Sequence, residues 1–565
     1  MGEKIPLYTF DFETDPFKFG RKPEPFLAGL YSKDFYKSFR NAKDLVNYIK
    51  YKKGLYYAHN GGRFDFLYLL DFFEPNQEIM LINGRIATFK IGEAIFRDSY
   101  LIIPRPLRSY KKDDIDYKLF EKELRELPEN LKMIDEYCAN DCKYLYELIE
   151  LFHKKYGKKL TLAGSAMTFW KKITSKQTVA ILDKTRRKPE FYKSFSEFYF
   201  GGRVECFVNG FIDSHIETYD INSAYSDAMN SFHPFGNIVY TFDKLPKSDD
   251  EISRSFIELD ADSLGAFPLK DKFGTEFPSD GINRRFKITG WEYLSARDTN
   301  SLKNEKIIKV HCFQEKVDFN NYTSHFFKEK REAVKGSGEE LMAKLFLNSY
   351  YGKLCANPST YKTYYLVEQD KILEKEKEFK ATFIDFIGKW ALLCAPILEV
   401  DQTFYNVATG ASITGNVRAK LWRGIKASKN VYYCDTDNIH SEKFNGKVGD
   451  NIGEWKHEFT ATRAGYGGKK LYALNDGTPW GIQDKKGVFV SGWNMKGWKV
   501  ASKGAKLTGQ EIMDISLGHE IEYNQEAPSV SLKRGFRTIS RIIKSTHNKK
   551  VKNISPLKNR GKKTR

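Results

Sequence analysis

The first 160 residues combine strand-like and helix-like patterns of hydrophobic and polar positions. Hydrophobic and polar side chains alternate along residues 8–14, which predicts a β-strand, and the short apolar run at 55–59 predicts another strand. Asp65 begins a strongly apolar segment that we expect to be helical, and residues 131–152 have the period of a longer helix. This order predicts an α/β domain at the N-terminus.

The pattern changes several times along the rest of the chain. Residues 155–195 are rich in lysine and indicate a connection, and a second region of strand and helix patterns begins near Tyr199. Residues 230–330 are irregular and interrupted by proline and glycine, as expected of an insertion. Helical periodicity returns over 325–354, and a charged, then apolar segment spans 365–400. The sequence has no repeat of solenoid length.

Length and composition are those of a multidomain globular protein. The 565 residues are enough for roughly three or four domains of about 150 residues each, and 41% of them are hydrophobic, well above the content of a disordered chain. No apolar run approaches the roughly 18 residues of a membrane span, and the N-terminus shows no secretory leader, so we expect a soluble, cytoplasmic protein. The seven scattered cysteines, none in a CxxC pair, favour reduced thiols.

A large excess of positive charge narrows the choice of partners. The formal net charge of +19 favours binding to polyanions such as nucleic acid, although a merely soluble basic protein would show the same excess. Aromatic residues make up 15% of the chain and suit stacking on unpaired bases, although most of them belong to cores. Residues 531–565 contain 13 Lys or Arg and no acidic residue, which is typical of a solvated tail or, alternatively, of a phosphate-binding arm.

Four carboxylates and one tyrosine form a first set of candidate catalytic residues. Asp11 and Glu13 lie two apart on the predicted strand and therefore on the same face. Asp65 follows a Gly-Gly turn, and Tyr137 and Asp141 lie four apart on one face of the predicted helix. A DxE pair alone is common on exposed strands, so the combination carries the inference. Four carboxylates hold two Mg²⁺ ions about 4 Å apart in two-metal phosphodiester hydrolysis, and a tyrosine orients the attacking water.

Three further aspartates suggest a second metal site. Asp220 ends a predicted strand, and residues 431–440 have the pattern of a β-hairpin with Asp435 and Asp437 at its tip. Carboxylates in an apolar setting are costly without a compensating cation. The alternative is an ordinary surface turn, in which aspartate is favoured for local reasons.

A helical stripe of polar residues lies between these aspartates in the sequence. Lys344, Asn348 and Tyr351 are spaced at i, i+4 and i+7, so they share one face of the predicted helix. Such a stripe is a poor core face. It suits a nucleotide, with the lysine on the triphosphate and the other two residues on the base pair.

These patterns resemble known families. The ordered motifs DxE, NxxxFD and YxxxD resemble those of the DEDDy exonucleases, whose fold is an RNase H-like α/β domain. The later motifs, DxxSxY at 220–225, KxxxNSxYG at 344–352 and YxDTD at 433–437, resemble motifs A, B and C of family B DNA polymerases. The remaining motifs resemble those of the protein-primed subgroup, which starts synthesis on a hydroxyl of a terminal protein. They are YxGG at 199–202, TxxxR at 414–418, KxY at 470–472 and Kxxh at 112–115.

The resemblance implies a role for each matching residue. The implied catalytic residues are Asp11, Glu13, Asp65, Lys112, Tyr137, Asp141, Asp220, Asp435 and Asp437. The implied ligands of two Mg²⁺ ions per site, which Mn²⁺ could replace, are Asp11, Glu13, Asp65, Asp141, Asp220, the Ile221 carbonyl and Asp437. The implied nucleotide-binding residues are Tyr225, Lys335, Lys344, Asn348 and Tyr351. The implied DNA-binding residues are Thr14, Asn60, Phe64, Ser99, Tyr199, Gly201, Gly202, Gly352, Thr414, Arg418, Tyr433, Lys470 and Tyr472.

The resemblance also implies a multidomain fold of α/β and α+β type, with an RNase H-like 3′–5′ exonuclease domain followed by a right-hand polymerase. The implied parts are the exonuclease domain at 1–161, a linker and first part of the palm at 162–231, insertion 1 (terminal-protein region 1) at 232–325, the fingers at 326–359, insertion 2 (terminal-protein region 2) at 360–403, the second part of the palm at 404–502, and the thumb with its basic tail at 503–565. In the family, insertion 1 contacts the terminal protein, and insertion 2 surrounds the DNA and gives processivity and strand displacement.

The sequence thus predicts a DNA-directed DNA polymerase with a 3′–5′ proofreading exonuclease, which replicates a linear viral or plasmid genome by protein-primed initiation and strand displacement. Its expected partners are primer–template and single-stranded DNA, dNTPs and a terminal protein, but no membrane, and we expect a monomer in the host cytoplasm. Three alternatives remain open: a family B polymerase without a protein primer, an exonuclease with an inactive polymerase half, and a basic single-strand-binding protein. Arg105, Ser226 and Asn438 depart from the family pattern, and none of them is an implied metal ligand.

Overall fold

The N-terminal region is built on a mixed sheet. The computed structural model describes residues 5–33, 35–185, 188–271, 274–357, 362–396, 405–479, 496–532 and 534–546. The first strands are β1 (Leu7–Thr14), β2 (Pro25–Ser32), β3 (Phe35–Phe39), β4 (Gly54–Ala58), β5 (Gln77–Ile82), β6 (Arg85–Ile91) and β7 (Ala94–Asp98), and the first helices are α1 (Ala42–Ile49), α2 (Lys122–Arg125) and α3 (Pro128–Tyr156). Strand β4 is parallel to both β1 and β7, and α3 packs on β1 and β2.

The core of this region fixes the direction of the side chains on β1. Phe10 and Phe12 are buried against the rings of Phe66 and Tyr68, respectively, so the carboxylates that alternate with them lie on the opposite face. The segment that begins at Asp65 is helical, as predicted, but Asp65–Phe72 forms a 3₁₀ helix rather than an α-helix. It follows directly on another short 3₁₀ turn, and such tight turns are used in short connecting segments.

Residues 155–195 are helical rather than a simple connection. The helices are α4 (Leu162–Ile173), α5 (Lys176–Thr185) and α6 (Pro189–Ser196), followed by β8 (Val204–Cys206), β9 (Gly210–Ile221) and α7 (Ala224–Met229). The many lysines concealed an amphipathic pattern in which Leu162, Met167 and Trp170 are buried while Lys172 is exposed.

The segment expected to be irregular, 230–330, contains a regular sheet. Its elements are β10 (His233–Phe242), α8 (Asp249–Ser253), β11 (Ser255–Asp262), β12 (Leu269–Asp271), β13 (Gly274–Glu276), β14 (Arg284–Thr289), α9 (Gly290–Asp298) and β15 (Lys303–Val317). Strands β10, β15, β11 and β14 form a four-stranded antiparallel sheet in that order. The expectation of irregular structure was wrong because most prolines and glycines of this segment lie in the turns between these strands, and Pro234 and Gly236 lie in β10 next to an irregularity in its pairing.

The next region supplies two helices and a hairpin that extends the first sheet. Its elements are α10 (Asn320–Glu332), α11 (Gly338–Leu354), β16 (Lys362–Glu368), α12 (Ile372–Glu378), β17 (Thr382–Ile387) and β18 (Trp390–Pro396). Strand β16 pairs with β5, which produces a ten-stranded sheet in the order β17-β18-β16-β5-β6-β7-β4-β1-β2-β3. The segment that corresponds to insertion 2 is therefore continuous with the N-terminal sheet.

The last region completes a second large sheet. Its elements are α13 (Val407–Ala427), β19 (Lys429–Asp435), β20 (Asn438–Lys443), β21 (Trp455–Gly468), β22 (Leu471–Asn475), β23 (Trp498–Ser502), α14 (Gly509–Ser516), β24 (Ile521–Ser531) and β25 (Gly535–Ile543). The seven-stranded sheet has the order β23-β22-β21-β9-β20-β19-β8, so β9 lies between the hairpin β19–β20 and β21. The final basic residues, 547–565, lie outside the described residues. No helix among the described residues is long and apolar enough to cross a membrane.

Candidate active sites

Four carboxylates converge beside strand β1. Asp11 and Glu13 share one face of β1. Asp65 begins the 3₁₀ helix and accepts a 3.2 Å hydrogen bond from the backbone N–H of Phe12, which holds it next to β1. Asp141 lies on α3, which packs on β1. Three separate elements thus bring together the residues that the sequence predicted as one set.

Burial and mutual repulsion disfavour the charged forms of these carboxylates. Burial, and then the charge of Asp141, raises the pKa of Asp11 to about 7. Burial, and then the charge of Asp11, raises the pKa of Glu13 and that of Asp65 well above their usual values. Glu13 Oε1 and Asp141 Oδ1 are buried without a hydrogen-bond partner in the described part of the chain. Buried carboxylate oxygens without partners fit a divalent cation.

Lys112 adds a positive charge to this group. Its Nζ lies 3.1 Å from Asp141 Oδ2 and 5.2 Å from the centre of the Tyr137 ring. Burial disfavours the charged form of Lys112, but the interactions with Asp141 and Tyr117 favour it more strongly. The pKa of Lys112 is therefore raised. Tyr117, which no sequence pattern singled out, shares a 3.0 Å hydrogen bond with the Tyr137 hydroxyl. Lys112 and Tyr137 therefore flank the carboxylates, as the resemblance implied.

A buried ion pair holds the turn that precedes Asp65. Asn60 has a left-handed backbone (φ +64°), and its Oδ1 accepts a 2.6 Å hydrogen bond from Arg85. Arg85 also lies 2.6 Å from Asp98, which accepts a hydrogen bond from the Gly62 backbone N–H. A Cβ at Gly62 would lie 2.0 Å from a backbone oxygen of β6, so this position requires glycine. Sequence patterns missed Arg85 and Asp98 because their partners are distant in the chain.

The other residues expected to hold the 3′ end of DNA surround this turn. Ser99 is fully buried and donates a hydrogen bond to the backbone of β4, so it supports the turn. Thr14, at the end of β1, is largely buried. Phe64 is partly exposed and meets the rings of Phe17 and Phe536 at 5.5 and 6.1 Å. Phe64 therefore offers the aromatic surface at this site.

Asp220, near the end of β9, lies next to Asp437, which is in the turn between β19 and β20. Asp220 pairs with Asn438 in the register of β9 and β20, and the Ile221 backbone N–H donates to the Asp437 carbonyl at 2.8 Å. Burial, and then the charge of Asp437, raises the pKa of Asp220 to about 7. Burial, and then the charge of Asp435, raises the pKa of Asp437 to about 6. The two sequence-distant aspartates predicted to form a second site are thus adjacent.

A cleft of about 390 Å³ opens in front of these aspartates. Tyr472 of the KxY motif lines it, together with Glu458 on β21 and Lys499 on β23, which lie 3.5 Å apart. Lys470 lies at its edge with Nζ 3.1 Å from Asp435 Oδ2. Sequence patterns missed Glu458 and Lys499 because only the folded sheet brings β21 and β23 near the end of β9.

The turn of the YxDTD motif is fixed by the YxGG loop. Thr436 has a left-handed backbone (φ +61°), and its N–H donates to the Arg203 carbonyl at 2.6 Å. A Cβ at Gly202 would lie 2.6 Å from Thr436 Oγ1. By contrast, Cβ atoms at Gly201 and at Gly352 would meet no heavy atom within 4 Å, so both positions are open.

The predicted nucleotide-binding residues lie on α7 and α11. Tyr225 and Tyr351 stack with ring centres 4.1 Å apart and planes 5° apart. Lys344 and Asn348 are exposed on α11, and Lys344 Nζ lies 2.6 Å from a glutamate one turn earlier. Lys335 is exposed in the turn before α11. The structure thus confirms the helical stripe predicted from the spacing.

Three more of the residues expected to contact DNA are buried, as Ser99 is. Thr414, Arg418 and Tyr433 are at most 2% exposed. Arg418 donates to the carbonyl oxygens of Phe200 and Gly201 at 2.5 and 2.9 Å, and the Tyr433 hydroxyl accepts a hydrogen bond from the backbone of the KxY motif. Arg418 and Tyr433 support the loops beside the cleft, whereas the Thr414 hydroxyl donates to the backbone of its own helix. A direct contact of these three side chains with DNA would require their exposure.

The carboxylate oxygens of both sites are of the kind that divalent cations prefer, but the side chains are not close enough to one another to form a preformed metal site. Within the described ranges, no group of three or more His, Cys, Asp or Glu side chains is close enough to form a ready metal site. The oxygen-rich composition of both groups is the one that Mg²⁺ prefers. The metal-ligand assignments therefore stay predictions.

Comparison with known proteins gives consistent matches. The family model of DNA polymerase type B, organellar and viral, matches residues 106–390. The DNA-directed DNA polymerase of Enterobacteria phage PRD1 is 34% identical over 570 residues, covering 96% of this chain and 98% of that protein. The DNA polymerase of Bacillus phage phi29 is 25% identical over 438 residues, covering 68% of this chain and 67% of that protein. A solved structure of phi29 DNA polymerase complexed with primer-template DNA shares the fold, with a TM-score of 0.71 at 18% identity over 96% of this chain and 100% of that one.

Proposed function

Because this chain belongs to the type B DNA polymerases of organelles and viruses, and is therefore a DNA-directed DNA polymerase, we propose that it synthesises DNA at the Asp220–Asp437 cleft and proofreads at the carboxylates beside β1. The observation that carries the proposal is the adjacency of Asp220 and Asp437, with raised pKa values, at an open cleft. Buried aspartates that repel each other are stabilised when cations bind between them.

The cleft suits transfer of a nucleotide to a 3′-hydroxyl. Two bound Mg²⁺ ions would lower the pKa of that hydroxyl and stabilise the leaving pyrophosphate. Asp220 and Asp437 supply the ligand oxygens. Lys344 binds the triphosphate from α11, and the stacked rings of Tyr225 and Tyr351 form a flat floor for the incoming sugar and base.

The carboxylates beside β1 suit hydrolysis of a terminal phosphodiester. Asp11, Glu13, Asp65 and Asp141 would hold the cations that such a reaction needs. Tyr137 orients the attacking water, and the Lys112 ammonium, 3.1 Å from Asp141, stabilises the negative charge that develops on the phosphate. This site would remove mispaired 3′ ends as a proofreading exonuclease.

Strand displacement is a further part of the proposal. The hairpin of insertion 2 continues the exonuclease sheet through β16, and a cavity of about 500 Å³ lies between this sheet and α11. Its walls include Met80, Leu101, Gly352 and Thr363. A cavity of this volume is too small for a duplex, whose major groove alone is about 12 Å wide. A template that passes here would have to separate from its partner strand.

Paired variants test the two sites. Asp437→Ala should abolish dNTP incorporation on a primer–template while single-stranded DNA is still degraded, because the two sites lie on different sheets. Asp11→Ala with Asp65→Ala should give the reverse. Comparable elongation by Asp437→Ala and the unchanged protein would refute the assignment of the cleft, and persistent digestion by the double variant would refute the exonuclease site.

Protein priming is proposed from the likeness to the phage PRD1 polymerase over nearly the full length and from the motifs of the protein-primed subgroup. The test is to incubate the protein with labelled dNTP, Mg²⁺ and a candidate terminal protein. A covalent bond between nucleotide and a protein hydroxyl supports the proposal. Extension of nucleic-acid primers alone would favour the alternative of a type B polymerase that needs no protein primer.

A further inference from the structure

The loop that joins the two halves of the molecule is held by insertion 1. We call residues 197–203, which contain the YxGG motif, the linker loop. Lys287 on β14 forms an ion pair with Glu197, and Lys270 on β12 donates a 2.8 Å hydrogen bond to the carbonyl of Tyr199. Both lysines belong to insertion 1, so its strands contact the loop from the side.

A buried ion pair makes the central contact. Arg418 on α13 donates from Nε to Glu292 Oε1 at 2.7 Å, and both side chains are at most 2% exposed. The same guanidinium donates from Nη1 to the carbonyls of Phe200 and Gly201. Arg418 therefore links Glu292, on helix α9 of insertion 1, to the centre of the linker loop. A planar guanidinium suits this task because its donors have a fixed geometry.

Glu292 has two separate roles that use different oxygens. Its Oε2 accepts hydrogen bonds from the backbone N–H and the hydroxyl of Thr289, which completes a capping box at the start of α9. Its Oε1 accepts from Arg418. Helix α13 approaches this cap so closely that a Cβ at Gly415 would lie 2.2 Å from Thr289 Oγ1. The pair is thus enclosed by two packed helices.

The linker loop also contacts the turn that bears Asp437. Arg203 donates from Nη1 to the carbonyl of Gly265 in insertion 1 at 2.9 Å, and its guanidinium lies 4.1 Å from the Phe277 ring. The Arg203 carbonyl accepts from the backbone N–H of Thr436, and Gly202 lies against the same residue. Contacts therefore run without a gap from insertion 1 through the loop to the turn that bears Asp437.

We propose that insertion 1 sets the position of the linker loop, and that Glu292 is the positioning residue that acts on DNA binding through Arg418. This proposal rests on the proposed polymerase function, since it assigns the loop to the DNA path beside the cleft. It means that whatever contacts insertion 1 can alter how the template is held next to Asp220 and Asp437. Insertion 1 is then part of the polymerase site, not an independent docking module.

The test compares two glutamates in matching caps. Glu292→Gln keeps the capping box, because glutamine serves at this position, but removes the charge that faces Arg418. Glu511→Gln makes the same change in the capping box of α14, where Thr508 is the partner. We expect Glu292→Gln to weaken binding of primer–template about 3- to 30-fold, the range for residues that couple sites without touching the ligand. The KM for dNTP should match that of Glu511→Gln, whose DNA binding stays within about twofold of the unchanged protein.

A double variant separates positioning from a general loss of structure. If Glu292 acts through Arg418, Glu292→Gln adds no further loss to Arg418→Met. Independent, additive losses would overturn the proposal, and so would unchanged DNA binding by Glu292→Gln in a protein that incorporates dNTP. Failure of the unchanged protein to incorporate dNTP would instead refute the proposed function.

A surface variant covers the case in which Glu292→Gln does not fold. Lys270→Met removes the hydrogen bond to the Tyr199 carbonyl and the ammonium that lies 5.0 Å from the centre of the Phe200 ring, and it keeps most of the side-chain volume. We expect weaker primer–template binding with an unchanged KM for dNTP. Lys306→Met, at an exposed position of β15, is the control. Equal DNA binding by the two lysine variants would overturn the proposal.

Discussion

Replacing Lys112 by methionine tests the electrostatics of the proposed exonuclease site. The change removes the ammonium 3.1 Å from Asp141 Oδ2 and keeps most of the side-chain volume. Coulomb's law at this distance with an effective dielectric constant of about 20 gives roughly 5 kcal/mol. Lys112 is one-third exposed, so solvent screening reduces this to about 1.5–3 kcal/mol, the range for hydrogen bonds to charged groups.

This loss corresponds to a roughly 10- to 150-fold slower degradation of single-stranded DNA. The Lys112 charge lowers the pKa of Asp11 and that of Asp141, so both pKa values rise without it. The acid limb of the exonuclease pH profile should therefore move to higher pH. The assay is single-turnover digestion of a labelled single strand, measured across pH and Mg²⁺ concentration.

The neighbouring lysine gives a matched control. Lys111 pairs with Glu147 at 2.9 Å, outside the carboxylate group, so Lys111→Met should digest DNA at a rate within about threefold of the unchanged protein. Polymerisation should be normal in both variants. Equal exonuclease rates for Lys111→Met and Lys112→Met would refute the role of the ammonium, and an unshifted pH profile would refute the electrostatic cause.

Three further changes test other parts of the structure. Gly202→Ala should slow dNTP incorporation by about 100-fold, because its Cβ displaces the Thr436 turn by part of an ångström; normal incorporation in a primer-extension assay would contradict this. Tyr225→Val should increase ribonucleotide incorporation, because the ring stacked on Tyr351 no longer limits the space at the sugar; unchanged discrimination between rNTP and dNTP would oppose the assignment. Replacing residues 362–396 by a short glycine-rich linker should stop extension at a downstream duplex while extension on a single-stranded template continues; equal rates on both templates would exclude strand displacement by insertion 2.

Local periodicity was enough to predict which of the candidate catalytic residues share a face. The two-residue spacing of Asp11 and Glu13 fixes their common face, and the spacing of Tyr137 and Asp141 fixes theirs, whatever the rest of the fold. The resemblance to the protein-primed type B polymerases is confirmed at the level of the family by the matches over most of the chain. Motif order in the sequence thus identified the architecture.

The supporting residues could not be predicted in the same way. Arg85, Glu292 and Glu458 act on partners that are brought near only by the folded sheets and helices, and each is an unremarkable charged residue in its own segment. Arg418 shows the converse: its motif predicted a DNA contact, whereas its burial between α9 and the linker loop gives it a supporting place. The spacing of motif residues in the sequence does not reveal whether a given side chain is buried or exposed.

The regular structure of residues 230–330 was missed for a related reason. Each of the strands β11 and β14 is short, and the turns between them are dense in proline and glycine, so the segment lacks a long periodic run. Its core forms only when β15 pairs with β10 and β11, and residues as far apart as His233 and Val317 are partners in this pairing. Long-range pairing of this kind leaves little trace in local hydrophobic patterns.

Anomalous diffraction from a crystal of the protein with primer–template, an incoming dNTP and Mn²⁺ would test the central claim most directly. We expect anomalous density between the carboxylates of Asp220 and Asp437, next to the phosphates of the nucleotide. Density elsewhere in the cleft, with these two side chains turned away from it, would contradict the account.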